Sequence, residues 1–210
     1  MRSSSVFYAA WFALLSVSPH AVAQTSITEK TAYIETCADL ESGGAASATI
    51  LRPEYKVGDA WSYKNYQVAS GSLNRTWIET ATAVDATGVE IRRIDRVSPD
   101  NVERAPFIYR PNLADESTFP LTKGKRWSSD ILKDGVKIGE NTYSVMGCEV
   151  IRTDAGQFAT LKIKDDFTRG EETYHQVMWF SPSARNIVRL VYLEKGKAVQ
   201  ATDLTSFAVN

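Results

Sequence analysis

The chain has 210 residues, with 24 basic and 25 acidic side chains and a formal net charge of −1. This balanced charge argues against a nucleic-acid-binding protein, because contact with phosphates needs a concentrated basic surface. The length suits one β-rich domain or two small fused ones. A chain of this size buries enough surface to fold without a metal or a dense set of disulfides.

The first 23 residues have the three parts of a cleavable export signal. Arg2 supplies a positive charge, residues 6–17 form a largely apolar run, and Ala21-Val22-Ala23 is a small-x-small cleavage pattern. The apolar run is shorter than the roughly 18 residues typical of a membrane span, although an uncleaved signal anchor is the alternative. We therefore expect a periplasmic or secreted protein with no membrane span after signal cleavage. No cysteine follows the cleavage pattern directly, so a lipid anchor is not expected.

Residues 24–52 differ in pattern from the rest of the chain. Tyr33, Cys37 and Leu40 fall at helical spacing, which predicts a short amphipathic helix. A stretch rich in glycine, serine and alanine follows it and is typical of a flexible connector. We therefore predict an N-terminal arm and linker, followed by a β-domain over residues 53–210.

Cys37 and Cys148 are the only cysteines in the chain. In an oxidising compartment an even number of cysteines favours a disulfide, which would tie the N-terminal arm to the β-domain. Two separate buried thiols are the alternative. A catalytic thiol is the least favoured interpretation, because neither cysteine has a histidine nearby in the sequence.

From residue 55 onward the periodicity is that of strands. Trp61 and Tyr63 share one face, whereas Tyr66 and Val68 fall on the other, which predicts a bulge near residues 64–65. Short turns between successive strands favour an all-β antiparallel meander, curled into a sandwich, a half-barrel or a barrel. The later strands are predicted over residues 76–84, 89–94, 107–109 (as an edge strand among prolines), 141–152, 158–164, 173–180, 187–194 and 198–209.

One pattern occurs twice, 66 residues apart. Gly-Asp-Ala-Trp-Ser at residues 58–62 returns as Gly-Lys-Arg-Trp-Ser at residues 124–128, and Thr76-Trp77 corresponds to Thr142-Tyr143 at the same offset. Each copy has a glycine turn, an aromatic-led strand, a second turn and another strand that carries an aromatic residue. The sequence therefore predicts two related hairpin units, over about residues 55–96 and 121–164.

Four sequence blocks follow one another along the chain. They are Gly-Asp-x-Trp-x-Tyr at residues 58–63, Phe-Pro-Leu-x-x-Gly-x-x-Trp at 119–127, a hairpin with Ala-Gly-x-Phe at its turn over 147–163, and Trp-Phe-Ser-Pro at 179–182. In this order they resemble a loose group of bacterial secreted β-domains of unknown function, over roughly residues 55–192. The resemblance implies no catalytic residues. Its layout is similar to that of envelope proteins whose curved sheets hold lipid or lipoprotein acyl chains.

The sequence offers little support for an enzyme. His175 is the only histidine after the export signal and has no nucleophile motif beside it, so a hydrolase with His175 as its base is the least favoured hypothesis. One histidine and two distant cysteines do not form a zinc cluster, and we predict no metal or cofactor. A glycosidase needs two carboxylates a few ångströms apart, and two acidic pairs, Asp165-Asp166 and Glu171-Glu172, flank residues 167–170. We interpret this charged segment as a solvated hairpin turn rather than as a glycosidase site.

Aromatic residues near the ends of predicted strands are the remaining candidates for a binding site. Core packing is their simpler role, and the alternative is a concave apolar cavity that accepts a lipid tail or a hydrophobic peptide. Our leading hypothesis is a non-enzymatic secreted or periplasmic β-domain that binds a hydrophobic, lipid-like ligand. The alternative is an envelope protein-interaction or adapter module that has no small-molecule ligand and uses exposed sheet edges or the arm. The residues predicted to form the cavity wall are Trp61, Tyr63, Trp77, Trp127 and Trp179.

Overall fold

The computed structural model describes Cys37 and residues 51–85, 88–97, 102–109, 119–133, 136–169 and 172–210. The predicted export signal and, apart from Cys37, the predicted helical arm lie outside these residues. Eleven strands are described. They are β1 (Ala60–Gln67), β2 (Leu73–Asp85), β3 (Gly88–Val97), β4 (Val102–Glu103), β5 (Phe107–Tyr109), β6 (Arg126–Lys133), β7 (Val136–Thr153), β8 (Gly156–Arg169), β9 (Glu172–Ser181), β10 (Asn186–Glu194) and β11 (Lys197–Ala208).

The strands form one open antiparallel sheet, which confirms the predicted all-β meander. Their order is β4-β3-β2-β1-β11-β10-β9-β8-β7-β6, and β5 also pairs with β3. Most strands that follow each other in sequence are neighbours, but β4 and β5 each pair with β3, and β5 and β6 lie at opposite edges. The pairing of β1 with β11 then joins the N-terminal strands to the C-terminal strands.

Most predicted strands agree with the observed ones to within a few residues. The register of β1 against β2 shifts between Asn65 and Tyr66, where a bulge was expected. β8, however, extends to Arg169, so the prediction that a turn begins at Phe167 is wrong. The ladder continues because Phe167 lies opposite Tyr174 and stacks on it, with 4.9 Å between the ring centroids.

The sheet curls around an inner face. On β1 this face carries Trp61 and Tyr63, and on β8 it carries Leu161 and Ile163, all of them buried. The buried residues of this face belong to two clusters, one around Trp61, Tyr63 and Trp77 and the other around Leu161, Ile163 and Phe180. Two hydrogen bonds reach across β11 from β1, because Trp61 Nε1 donates to the Ala184 carbonyl at 2.7 Å and Tyr63 Oη donates to the Ile187 carbonyl at 3.1 Å.

The β7–β8 hairpin also contacts strands that are not its neighbours in the sheet. At its tip Ala155 N donates to the Leu204 carbonyl on β11 at 3.4 Å. Lys64 of β1 pairs with Asp154 at 2.6 Å, and Arg189 of β10 donates to the Arg152 carbonyl at 3.1 Å. Lys64 and Arg189 point away from the inner face, so the hairpin tip spans the outer face of the sheet.

The predicted disulfide is present and joins Cys37 to Cys148 of β7, with 5.6 Å between the Cα atoms. It links positions 111 residues apart in the sequence. Cys148 also packs against the second core cluster. The bond therefore fixes one point of the N-terminal arm to the C-terminal half of the sheet.

The two predicted hairpin units begin with the same turn. Gly58 and Gly124 have φ values of 93° and 85°, in the left-handed region that favours glycine. Gly58 N donates to the Ala81 carbonyl and Gly124 N donates to the Val145 carbonyl, each at 2.9 Å. The aromatic register differs, because Tyr63 lies opposite Trp77 whereas Trp127, the counterpart of Trp61, lies opposite Tyr143. A repeat relationship between the units stays a prediction.

Asp59, which follows the first of these glycines, is fully buried and ties together three segments of the chain. Its carboxylate accepts hydrogen bonds from Lys56 N at 2.9 Å and from Asn210 N at 2.8 Å. It also pairs with Arg185 in the turn between β9 and β10 at 3.2 Å. Arg185 in addition donates to the Glu54 carbonyl at 2.8 Å.

We expect Asp59→Ala to lower the free energy of unfolding by about 3 kcal/mol, because it leaves two backbone amides without their acceptor and Arg185 without its carboxylate partner. Urea denaturation followed by tryptophan fluorescence measures the change. Glu54→Ala is the matched control, since only the backbone carbonyl of Glu54 takes part. Equal midpoints for the two variants would contradict this role of Asp59.

Candidate ligand-binding cavity

A cavity of about 410 Å³ lies on the inner face, between the two core clusters. Its volume falls within the range of about 300–1,000 Å³ that is typical of small-molecule sites. Tyr109 of β5 and Tyr143 of β7 both line it. In a flat sheet about eight strand spacings of roughly 4.8 Å each would keep these two strands apart, so the curl of the sheet creates the cavity.

Trp77 is the centre of the first wall, which is built by β1, β2, β3 and β5. The Tyr63 ring stacks on it, with 5.2 Å between the centroids. The guanidinium carbon of Arg93 lies 4.0 Å from the Trp77 ring centroid, a cation–π contact. Trp77 Nε1 donates to Glu79 Oε1 at 2.9 Å, so both the faces and the edge of the indole are engaged.

The charges of this first wall compensate one another. Arg93 Nε donates to Asp95 Oδ1 at 2.7 Å, and another Arg93 nitrogen lies 3.6 Å from Glu79. Arg75 lies 3.6 Å from Asp95. Burial raises the pKa of Glu79, while the hydrogen bond from Tyr109 and the charge of Arg93 act in the opposite direction. Both cations of this wall therefore have carboxylate partners within it.

The second wall, built by β7 to β11, is mainly apolar. Strand alternation places Met178 and Phe180 of β9 on it, next to Ile187 and Leu190 of β10. Tyr192 closes one side and its pKa is raised by burial. These aliphatic and aromatic side chains make most of this wall apolar.

Two polar side chains interrupt this apolar wall. Asp165 of β8 lies opposite Gln176 of β9, and Gln176 Nε2 donates to Asp165 Oδ2. Asp165 is only 1% exposed. The other two oxygens of the pair, Asp165 Oδ1 and Gln176 Oε1, are buried without a hydrogen-bond partner. Burial raises the pKa of Asp165 to about 6.

The prediction that Asp165 belongs to a solvated turn is therefore wrong. Asp165 is opposite Gln176 inside a ladder that continues past it to Arg169. It has the same parity as the buried Leu161 and Ile163, so the strand carries its carboxyl group to the inner face. The alternation along β8 could have indicated from the sequence that Asp165 faces inward, but the neighbouring charged residues favoured a solvated turn.

The structure separates the five predicted wall residues. Tyr63 and Trp77 line the cavity. Trp61 is fully buried in the first core cluster, and Trp127 stacks on Tyr143 with 4.8 Å between the centroids. Trp179 points to the face opposite Met178 and Phe180, where it is buried in the same first core cluster and its Nε1 donates to Glu149 Oε2 at 2.9 Å. A ligand-binding role for any of them stays a prediction.

His175 also lies on the outer face. Its Nδ1 is 2.6 Å from Asp166 Oδ1, and its side chain is 40% exposed. Burial alone would raise the pKa of Asp166, but hydrogen bonds from Lys164 and His175 outweigh this effect and lower it.

The described residues contain no cluster of histidine, cysteine or acidic side chains suited to a metal. Nor do they include a helix of the length and hydrophobicity that spans a bilayer.

Comparison with known proteins identifies the fold. No protein-family model matches the chain, and no curated protein matches it either. The fold is similar to that of a candidate lipoprotein from Parabacteroides distasonis, with a TM-score of 0.51 and 15% identity over 76% of this chain and 99% of that one. At this identity the similarity shows the fold alone.

Two further solved structures match less closely. A candidate exported protein with a YmcC-like fold from Bacteroides fragilis has a TM-score of 0.48 and 14% identity, over 76% of this chain and 99% of that one. The hypothetical lipoprotein YmcC from Escherichia coli has a TM-score of 0.39 and 12% identity, over 72% of this chain and 86% of that one.

The raised pKa of Asp165 has a direct consequence for stability. The folded state takes up a proton near pH 6, whereas the unfolded chain does so near its usual value of 3.8. The contribution of Asp165 to the free energy of unfolding should therefore rise as the pH falls from about 7 to about 4. We expect Asp165→Asn to remove this rise and to be more stable than the wild type above pH 7, by on the order of 2 kcal/mol.

Urea unfolding of the two proteins at several pH values measures this difference. Asp166→Asn is the matched control, because it removes the neighbouring carboxylate from the outer face. The lowered pKa of Asp166 predicts a loss rather than a gain of stability at neutral pH. The proposed desolvation of Asp165 would be refuted by equal stabilities of wild type and Asp165→Asn at every pH.

Proposed function

We propose that this protein is a non-enzymatic binding protein of the cell envelope or the secreted fraction, and that its curled sheet holds a hydrophobic, lipid-like ligand. The observation that carries the proposal is the cavity of about 410 Å³ between the two core clusters. A sheet that packed solely for stability would fill this volume with side chains, because protein interiors are normally close-packed.

The composition of the walls supports a ligand of this class. Met178, Phe180, Ile187 and Leu190 provide apolar contact on one side, and the stacked rings of Tyr63 and Trp77 provide it on the other. A few polar groups interrupt these surfaces. This combination of apolar lining and sparse polar groups is typical of sites for small organic molecules.

Export is the second part of the proposal. The pattern of the first 23 residues and the Cys37–Cys148 disulfide both favour an oxidising compartment outside the cytoplasm. The Parabacteroides distasonis protein with the same fold is described as a candidate lipoprotein, which agrees with an envelope location. Within the described residues His175 lies across the sheet from the cavity, which favours binding over hydrolysis.

One observation favours the adapter alternative. β5 lies at the edge of the sheet beyond β3, and its Phe107 and Ile108 side chains are 46% and 62% exposed. An exposed strand with apolar side chains can pair with a strand of another protein.

Native mass spectrometry of the protein purified gently from the periplasm, without reductant, separates the two proposals. A lipid-mass adduct supports a carrier, and a protein-mass adduct supports an adapter.

A pair of substitutions on β10 tests the cavity directly. We expect Leu190→Trp to fill part of the cavity and to weaken binding of an apolar fluorescent probe such as N-phenyl-1-naphthylamine by about tenfold or more, since a larger side chain occupies the ligand volume. Probe titration followed by fluorescence measures the affinity. Circular dichroism checks that the variant keeps its strand content.

Leu193→Trp is the matched control. Leu193 lies opposite His175 on the outer face, whereas Leu190 lies opposite Met178 on the inner face. The same enlargement at position 193 should leave the probe affinity within about twofold of the wild type. Equal affinities for all three proteins would place the probe outside the cavity and remove the support for a carrier.

A further inference from the structure

The polar groups of the cavity leave one charge without a partner. In the first wall Arg93 is held by Asp95 and Glu79, and Arg75 lies near Asp95. In the second wall Asp165 accepts a hydrogen bond from Gln176, but no described cation pairs with it. Asp165 is therefore the one carboxylate among the described cavity-lining residues that lacks a cationic partner.

Two hydrogen-bond acceptors at this place are also unused. Asp165 Oδ1 and Gln176 Oε1 are buried without a partner, and both residues line the cavity. The two residues are directly opposite each other on adjacent strands, so their free oxygens belong to one small area of the wall. A buried acceptor without a donor is costly, and a carboxylate more so.

A ligand that fits this area must donate several hydrogen bonds and carry a positive charge. An ammonium group has three donors and no acceptor, which matches a carboxylate oxygen beside an amide oxygen. The wall next to the pair is apolar, with Met178 and Leu190 following along the same face. The remainder of the ligand is therefore apolar.

We propose that the cavity is selective for amphipathic amines, with the ammonium group at Asp165 and Gln176 and the apolar part along β9 and β10. This inference rests on the proposed function, because it names the ligand class for the same cavity. A carboxylate-bearing lipid, by contrast, would place its negative charge against Asp165 and would find Arg93 already engaged by Asp95 and Glu79.

The test uses three ligands that share one alkyl chain: decylamine, decanol and decanoate, each below its critical micelle concentration at pH 7.5. Their affinities are measured with the purified full-length protein by displacement of N-phenyl-1-naphthylamine. We expect decylamine to bind about tenfold or more tightly than decanol, because its ammonium group adds a charge–charge attraction to the hydrogen bond that either head group can donate to Asp165. Decanoate should bind most weakly.

Asp165→Asn keeps the shape of the side chain and removes its charge. In this variant we expect the preference for decylamine over decanol to fall to about twofold or less, because decylamine loses its charge–charge attraction while both ligands keep a hydrogen bond to the amide oxygen. Asp166→Asn, on the outer face of the same strand, should keep the full preference. If Asp165 acted only through the stability of the fold, Asp165→Asn would change the affinities for all three ligands by a similar factor.

The outcomes separate this inference from the proposed function. Similar binding of all three ligands by the wild type, or an unchanged preference in Asp165→Asn, would overturn the amine selectivity while leaving a carrier of apolar ligands. Failure of the probe and of every alkyl ligand to bind would overturn the proposed function itself.

A second arm distinguishes a lipid headgroup from a free amine. Lysophosphatidylethanolamine carries a primary ammonium group, and lysophosphatidylglycerol lacks it. Displacement of decylamine by the first and not by the second would assign the amine to a lipid headgroup. Displacement by neither would assign it to a smaller free amine, and displacement by both equally would contradict amine selectivity.

Discussion

The pairing of β1 with β11 is the constraint on which the rest of this structure depends. It places the first strand beside the last, so that the N-terminal and C-terminal strands share one curled sheet. The hydrogen bonds of Trp61 and Tyr63 to carbonyls beyond β11 strengthen the same junction. The cavity is lined by residues from both sides of this junction, so the pairing of β1 with β11 holds its two walls together.

Strand alternation then decides the chemistry of each wall. On β8 it carries Asp165 inward and Asp166 outward, so two consecutive identical residues meet opposite environments. Burial raises the pKa of the first, whereas hydrogen bonds from Lys164 and His175 lower the pKa of the second. The same alternation on β9 gives the cavity Met178 and Phe180 but directs Trp179 to the opposite face.

The sequence predicted the fold better than the site. Strand positions follow from local alternation and turn residues, so the β-meander and most strand limits could be derived. Which strands face each other across the cavity depends on the β1–β11 pairing, a contact between distant residues that local patterns do not encode. Tyr63 and Trp77 were named for their aromatic character and do line the cavity. Gln176 and Arg93 were missed as ordinary polar strand residues, and Asp165 was missed because its charged segment was interpreted as a solvated turn.

The β7–β8 hairpin has a consequence for how the curvature of the sheet is maintained. Its tip is attached to β1, β10 and β11 across the outer face through Asp154, Arg152 and Ala155. These contacts stabilise the curvature of the sheet from its outer face, and none of them involves a residue that lines the cavity. A molecule entering the cavity would therefore meet walls whose curvature is already set, so its association would need little loss of backbone entropy.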